Sequence, residues 1–321
     1  MLQHIRRKKS KLWVLLLILA VVVVYKLMDS SDGQSLLKRV DGNQSNSVLS
    51  LRASTDSAVS ISSDNLHSPN AILVRLNDHT ILMQKKSEQK IYPASLTKIM
   101  TATVAIENLH DLQKKIELSP SMFQRLNKEN ASMAGFQPNE KVKAIDLLYG
   151  MMLPSGAECC IGLADNIAGS EQAFVDKMNQ KAESLGMSNT HFTNATGLQD
   201  QNHYTTVKDL SILLSYALKN STFQEIFTTS RHSTASTNKH PDGITFKSTL
   251  FKNIGNSTLK SGNILGGKTG FTDEAGLCLA SFAQVNGKEY ILVTAGAKGN
   301  HQTEQYDIDD AYEVFNELGS K

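Results

Sequence analysis

The chain reads as an α/β protein of the α+β kind: one antiparallel sheet flanked by helices, with an inserted, mostly helical lobe. Three observations point there. Strand patterns stand near both ends of the folded part, at 71–85 and 264–297, a helical middle runs from about 110 to 225, and a last helical pattern closes the chain. Strands drawn from both ends suit a single sheet, which leaves the middle as a lobe beside it. A cleft between sheet and lobe is the natural place for a site.

Each element has its own signal. Ala71 to Leu76, then Asn77-Asp78-His79, then Thr80 to Lys85 predicts a β-hairpin. Pro93 precedes a helix from about Ser95 to Asn108, with Ile99, Met100, Thr103 and Ile106 at helical spacing. In the middle, helices are expected at 120–130, 144–153, 157–168, 171–185 and 207–219, with ends marked by Pro120, Pro154, Gly186 and Asn220. After about 240 the pattern returns to short β-rich runs, Ile264–Phe271, Gly276–Gln284 and Tyr290–Ala297, with Asn286-Gly287 as a turn signal. A final helix is expected from about Glu304 to Leu318.

The N-terminus carries a separate message. Residues 1–11 form a basic segment (Arg6, Arg7, Lys8, Lys9, Lys11), and 12–28 form an apolar run that Lys26 interrupts with a side chain able to snorkel. A cleaved signal peptide would need a small-x-small site, and Lys26-Leu27-Met28-Asp29 offers none. The expectation is an uncleaved, single-pass membrane anchor, with the rest of the chain outside the cytoplasm. Residues 29–68, rich in Ser, Asp, Asn, Gln and Gly, read as a flexible linker, and 69–321 as the catalytic domain.

Composition narrows the function. Of 321 residues 40% are hydrophobic and 20% charged, ordinary for a globular enzyme, and a net charge of +2 gives no reason to expect nucleic-acid binding. Three cysteines, Cys159, Cys160 and Cys278, are too few for a disulfide framework and read as small buried residues. The nine histidines are scattered with no H-E-x-x-H, so neither a metal nor another cofactor is expected.

Three short stretches carry the chemistry: Ser95-Leu96-Thr97-Lys98, Ser155-Gly156-Ala157 and Lys268-Thr269-Gly270. S-x-x-K alone is weak, since it starts five times, at Ser35, Ser87, Ser95, Ser236 and Ser257. Only Ser95 opens a strong helical pattern just after a proline. There its Oγ would sit in the positive end of the helix dipole. Lys98 lies one turn on, able to take the Ser95 proton if burial or a neighbouring cation keeps its amine neutral. Lys268-Thr269-Gly270 occurs once, on an expected strand, where Gly266, Gly267 and Gly270 let a substrate backbone lie close. Lys268 and Thr269 could hold a carboxylate, and the Phe271 and Ser95 N–H groups an oxyanion. A nucleotide loop is excluded because the segment leads into a strand and no G-x-x-x-x-G-K-[ST] is present. A literal Ser261-Gly262-Asn263 lies five residues before Lys268 and reads as the turn into that strand.

Over about 70–320 the chain resembles the low-molecular-mass penicillin-binding proteins, the serine-type D-alanyl-D-alanine carboxypeptidases. Tyr92 to Thr101 resembles their nucleophile segment. Asn194 to Leu198, through His203 to Thr206 and Asp209-Leu210, resembles a loop near their active site, and Gly267–Gly276 resembles their third segment. The resemblance implies the β-lactamase/transpeptidase-like fold, Ser95 as acylated nucleophile and Lys98 as base. It also implies Ser155 as a proton-relay hydroxyl, and Lys268 and Thr269 as ligands of the substrate's terminal carboxylate. The implied substrate is a peptidoglycan stem peptide ending in D-Ala-D-Ala, with β-lactams as covalent inhibitors at Ser95. Two departures stand out. Ala157 occupies a position where the family usually has Asn, with Glu158 in place of Asp. Many relatives also carry a C-terminal β-domain with an amphipathic anchor, for which the N-terminal anchor would substitute. Losing one hydrogen bond to the substrate costs on the order of 1–3 kcal/mol of transition-state binding. Altered rate or selectivity is therefore the expectation at Ala157.

Other classes fit less well. A class A β-lactamase needs a deacylating carboxylate in an E-x-x-L-N segment, which Glu107, Glu171 and Glu183 do not provide. An α/β-hydrolase lacks its G-x-S-x-G elbow. A DD-endopeptidase, or a catalytically impaired wall-scaffold protein that still binds penicillin, would keep the same motifs.

Overall fold

The computed structural model describes residues 51–53 and 61–321. They lie in the second of two units, Val48–Lys321. The basic segment, the anchor expected at 12–28 and most of the expected linker lie outside the described residues. Among the described residues, no helix is long and apolar enough to cross a membrane.

In chain order, β1 (Arg52–Ala53), β2 (Asn70–Arg75) and β3 (Thr80–Lys85) come first, then a 3-10 turn at Ala94–Leu96 that runs into α1 (Thr97–Asn108). The lobe carries β4 (Lys115–Glu117), α2 (Pro120–Lys128), β5 (Lys141–Lys143), α3 (Ala144–Met152), α4 (Ala157–Ala168), α5 (Glu171–Ser184), α6 (Val207–Ala217) and α7 (Ser221–Thr228). The return segment holds β6 (Arg231–Ser233), β7 (Thr245–Lys247), α8 (Thr249–Asn253) and β8 (Thr258–Leu259). The chain closes with β9 (Gly262–Thr272), β10 (Gly276–Val285), β11 (Lys288–Ala297) and α9 (Tyr306–Gly319).

As expected, both ends of the folded part contribute to one sheet. Its order is β1-β3-β2-β11-β10-β9-β8, antiparallel throughout except for the two-residue pairing of β1 with β3. The central join is β2 against β11, with Val74 opposite Ile291. Helices cover both faces, which is why β2 reads Asn-Ala-Ile-Leu-Val-Arg rather than alternating. Ile72, Val74, Phe282 and Ile291 enter the core shared with α1, α3 and α4. Ala71, Leu73, Leu279 and Leu292 enter a second core under α9 with Ile308, Val314 and Phe315.

Helix ends follow local chemistry. Pro120 opens α2, where its missing N–H has no helical partner to lose. The side chains of Ser170, Thr206 and Asn220 cap α5, α6 and α7 by accepting from Ala173, Asp209 and Phe223 N–H. Gly169, at φ 80°, ends α4. Asn220 was expected only to end a helix, whereas its side chain also starts α7, an element the periodicity did not suggest. α1 is buried from Thr97 to Ala105, so it is a central helix and not the one-faced helix its spacing suggests.

Ordered packing begins before the expected boundary at 69. Ile61 and Leu66 are buried in the second core. The His67 and Ser68 N–H groups donate to the Asp310 carboxylate on α9, at 2.7 and 2.9 Å. A polar composition hid the two apolar anchors that attach this stretch to α9.

Candidate active site

Ser95 lies one step earlier than expected, inside the 3-10 turn and not in the first turn of α1. The turn is held in an uncommon conformation. Ala94 has φ +46°, a left-handed value that costs a side-chain-bearing residue roughly 1–2 kcal/mol. Gly197 makes this possible by close approach, since a Cβ there would stand 1.9 Å from the Ala94 carbonyl oxygen. On the other side Gly270 of β9 abuts the turn, where a Cβ would meet Ser95 N at 3.1 Å and Leu96 N at 3.3 Å.

The three sequence motifs converge on one hydrogen-bonded chain. Lys98 Nζ donates to Ser95 Oγ at 3.0 Å. Ser155 Oγ donates to Ser95 Oγ at 2.9 Å, and Lys268 Nζ donates to Ser155 Oγ at 3.1 Å. Lys98 also donates to the Thr196 carbonyl, and Lys268 to that of Thr269 at 2.8 Å. Ser155 comes from the loop between α3 and α4 and has φ +69°, which turns its side chain back toward Ser95.

Both lysines are almost wholly buried. Burial pushes the Lys98 amine down from the ordinary lysine value, and burial together with the nearby Lys98 holds Lys268 well below it. Neighbouring Cys160, Glu158 and Cys159 oppose the Lys98 shift. Burial pushes both thiols up as well, Cys160 to about 12, so they stay neutral at pH 7. All three cysteines are free and buried, as expected. The site therefore offers two serine hydroxyls between two amines that burial shifts toward the neutral form.

A cleft of about 930 Å³ opens beside this chain, lined by Ser95, Lys98, Asn130, Ser132, Ala157, Thr196, Gly197 and Phe271, among others. Ala157 starts α4 with its N–H on the Ser132 carbonyl at 2.8 Å, so only a methyl faces the cleft. Glu158 turns inward. Its Oε1 accepts from Ala134, Gly135 and Phe136 N–H at 2.8, 3.0 and 3.3 Å and fixes the wall that carries Ser132. Lys268 is wholly buried and does not line the cleft, whereas Thr269 and Gly270 line a neighbouring pocket of about 170 Å³ with Thr249 and His301. Thr269 Oγ1 lies 2.6 Å from Thr249 Oγ1. The rejected Ser261-Gly262-Asn263 sits where β8 turns into β9, as read from the sequence.

Sequence reasoning did not find Thr249, Asn130 or Ser132, which belong to no motif. Their backbone is brought to the site by the return segment and by the loop after α2. Among the described residues no cluster of His, Cys, Asp and Glu could hold a metal ion.

A sheet with helices on both faces, and a lysine–serine–serine–lysine chain at the edge of a helical lobe, define the β-lactamase/transpeptidase-like class. The structure of a Streptomyces DD-transpeptidase superposes with a TM-score of 0.71 at 28% identity, over 81% of this chain and all of that one. The chain belongs to the D-alanyl-D-alanine carboxypeptidase family, whose profile matches residues 57–299. The Bacillus subtilis D-alanyl-D-alanine carboxypeptidase DacF is 33% identical over 234 residues, 71% of this chain and 57% of the relative. A Streptomyces D-alanyl-D-alanine carboxypeptidase is 33% identical over 219 residues, 66% and 75% of the two chains. An Escherichia coli D-alanyl-D-alanine endopeptidase is 29% identical over 254 residues, 78% and 77%. The chain thus spans little more than half of the Bacillus relative.

Proposed function

We propose that this protein is a serine-type DD-carboxypeptidase that removes the terminal D-alanine from peptidoglycan stem pentapeptides through a Ser95 acyl-enzyme. The observation that carries the reading is the unbroken chain Lys98–Ser95–Ser155–Lys268, at 3.0, 2.9 and 3.1 Å. Neutral Lys98 takes the Ser95 Oγ proton as that oxygen attacks the carbonyl carbon of the penultimate D-alanine. The oxyanion is met by the N–H groups of Ser95 and Phe271. As the C–N bond breaks, the proton that Lys98 took passes to the leaving nitrogen through Ser155 Oγ, which leaves Lys98 neutral again. Water then attacks the ester and gives a proton to neutral Lys98, which returns it to Ser95 Oγ as the acyl group leaves.

Thr269 presents a hydroxyl to the substrate's terminal carboxylate, and Lys268 adds field from beneath when its amine carries a proton. Gly270 lets the peptide lie along β9. Ala157 leaves one substrate amide without the side-chain partner the family usually supplies, and Asn130 and Ser132 stand beside it on the cleft wall. β-Lactams acylate the same oxygen. The reading places the enzyme outside the cytoplasm on an N-terminal membrane anchor, acting without a cofactor.

Full-length protein is incubated with a pentapeptide ending in D-Ala-D-Ala and with a cross-linked dimer, and the products are separated. D-Alanine released from the pentapeptide and blocked by penicillin supports the carboxypeptidase. Cleavage of the cross-link alone would make it an endopeptidase. Penicillin labelling without either product would make it a scaffold-like relative.

A further inference from the structure

Besides the residues that meet the substrate, the fold contains a one-way chain of hydrogen bonds that ends at the nucleophile's turn. The Thr193 N–H donates to His203 Nδ1 at 3.0 Å. A ring nitrogen that accepts carries no proton, so the hydrogen of the neutral imidazole sits on Nε2. His203 Nε2 lies 2.8 Å from Thr97 Oγ1, which therefore accepts from it. Thr97 Oγ1 in turn donates to the Ala94 carbonyl at 2.8 Å. Every donor and acceptor in this series has one possible sense.

The end of the series is the residue whose backbone is left-handed, one position before Ser95. The Ala94 carbonyl also faces Gly197, and the next residue back, Thr196, accepts from Lys98. The loop 193–197 and the turn 94–97 are thus fastened to each other through His203 and Lys98. His203 is 2% exposed, and the Phe192 ring stands edge-on to it at 5.6 Å. It touches neither Ser95 nor the cleft.

We propose that His203, as the Nε2–H tautomer, is a positioning residue for acylation: through Thr97 it fixes the Ala94 carbonyl and with it the direction of the Ser95 N–H and Oγ. The inference rests on the acyl-enzyme reading above. Burial pushes the imidazole down to about 4, opposed by Asp200 and helped by His191 and Lys98, so the neutral form the series needs prevails at neutral pH. A protonated ring would aim a second N–H at the Thr193 N–H, with only the Thr193 hydroxyl, 3.3 Å from Nδ1, placed to accept it.

The test compares His203→Gln with His203→Asn in full-length protein. The Gln amide reaches Thr97 Oγ1 and restores the donor, whereas the Asn amide is too short and leaves Thr97 free to turn. The rate of Ser95 acylation by a fluorescent penicillin, kcat and KM for the pentapeptide, and Tm are measured for each. His203→Asn should acylate about tenfold more slowly or worse and lose kcat with KM little changed, given that ~1 Å of misplacement costs on the order of 100-fold. His203→Gln should recover to within about threefold of the parent. Thr97→Val should show the same kcat loss and add nothing when combined with His203→Asn. Wild-type rates in a folded His203→Asn protein would overturn the inference, and so would equal losses in Asn and Gln, which would leave only packing. If the parent protein itself fails to label, the acyl-enzyme reading has failed instead.

Discussion

Replacing Gly270 by Ala tests how closely β9 abuts the nucleophile's turn. The added Cβ would meet Ser95 N at 3.1 Å, Ala94 Cβ at 3.3 Å and Leu96 N at 3.3 Å. All three are shorter than an ordinary contact, so strand and turn must separate by a few tenths of an ångström. The turn has little room to yield, because the Gly197 backbone presses on Ala94 from elsewhere. A misplacement of ~1 Å costs on the order of 100-fold, and loss of a whole oxyanion donor on the order of 100- to 1,000-fold. A shift of a few tenths that bends one donor away should therefore lower kcat/KM by roughly tenfold. The protein should stay folded, since overpacking by one methyl costs about 1–3 kcal/mol. D-Alanine release and the second-order rate of penicillin labelling measure the effect, with Tm as control. An unchanged kcat/KM in a folded Gly270→Ala protein would refute the claim that this strand shapes the oxyanion site.

Three more outcomes follow from the same geometry. Ala157→Asn should leave the fold intact and change kcat/KM for peptide substrates, because residue 157 faces the cleft. An unchanged value would show that the position does not meet them. Catalysis needs neutral Lys98, whose amine is depressed by burial, so kcat/KM should rise with pH and level off below the ordinary value of 10.5. A rate still climbing at that pH would contradict the buried-amine mechanism. Asp307 is buried in the first turn of α9, its Oδ1 has no partner, and burial raises its carboxyl to about 6. The folded state then binds more protons than the unfolded one between the ordinary value of 3.8 and about 6, so stability from this group is full below that window and falls as pH rises through it. Asp307→Asn should gain up to ~3 kcal/mol at pH 7 and nothing below about pH 4, read by denaturant unfolding at both. An equal gain at both pH values would show that charge is not the cause.

The sequence was most legible where periodicity and punctuation agree. α4 starts at Ala157 and ends at Ala168 as its spacing predicted, and the hairpin partners β2 and β3 fall within a residue of expectation. The long closing strands β9 to β11 were legible for the same reason, although each extends a residue or two further. Short elements were not. β4 with β5 and β6 with β7 pair over three residues each, too few for an alternation to be seen. The site was legible at Ser95, Lys98, Ser155 and Lys268 because their motifs fix residue type and spacing. Its supports were less so: Thr196 and His203 stood out only as part of a loop resembling the family's, without their roles, and Thr249 not at all, because each acts through a backbone carbonyl or a single hydroxyl that no spacing announces. The left-handed Ala94 was equally hidden, since the glycine that permits it is Gly197, about a hundred residues away.

The central claim is that Ser95 is the acylated nucleophile, and peptide mapping of the penicillin-treated protein tests it most directly. Full-length protein and its Ser95→Ala variant are labelled, digested and weighed. The account predicts a penicilloyl adduct on the peptide that contains Ser95, absent from the variant, together with loss of D-alanine release in that variant. An adduct on another residue, or labelling that persists in a folded Ser95→Ala protein, would contradict it.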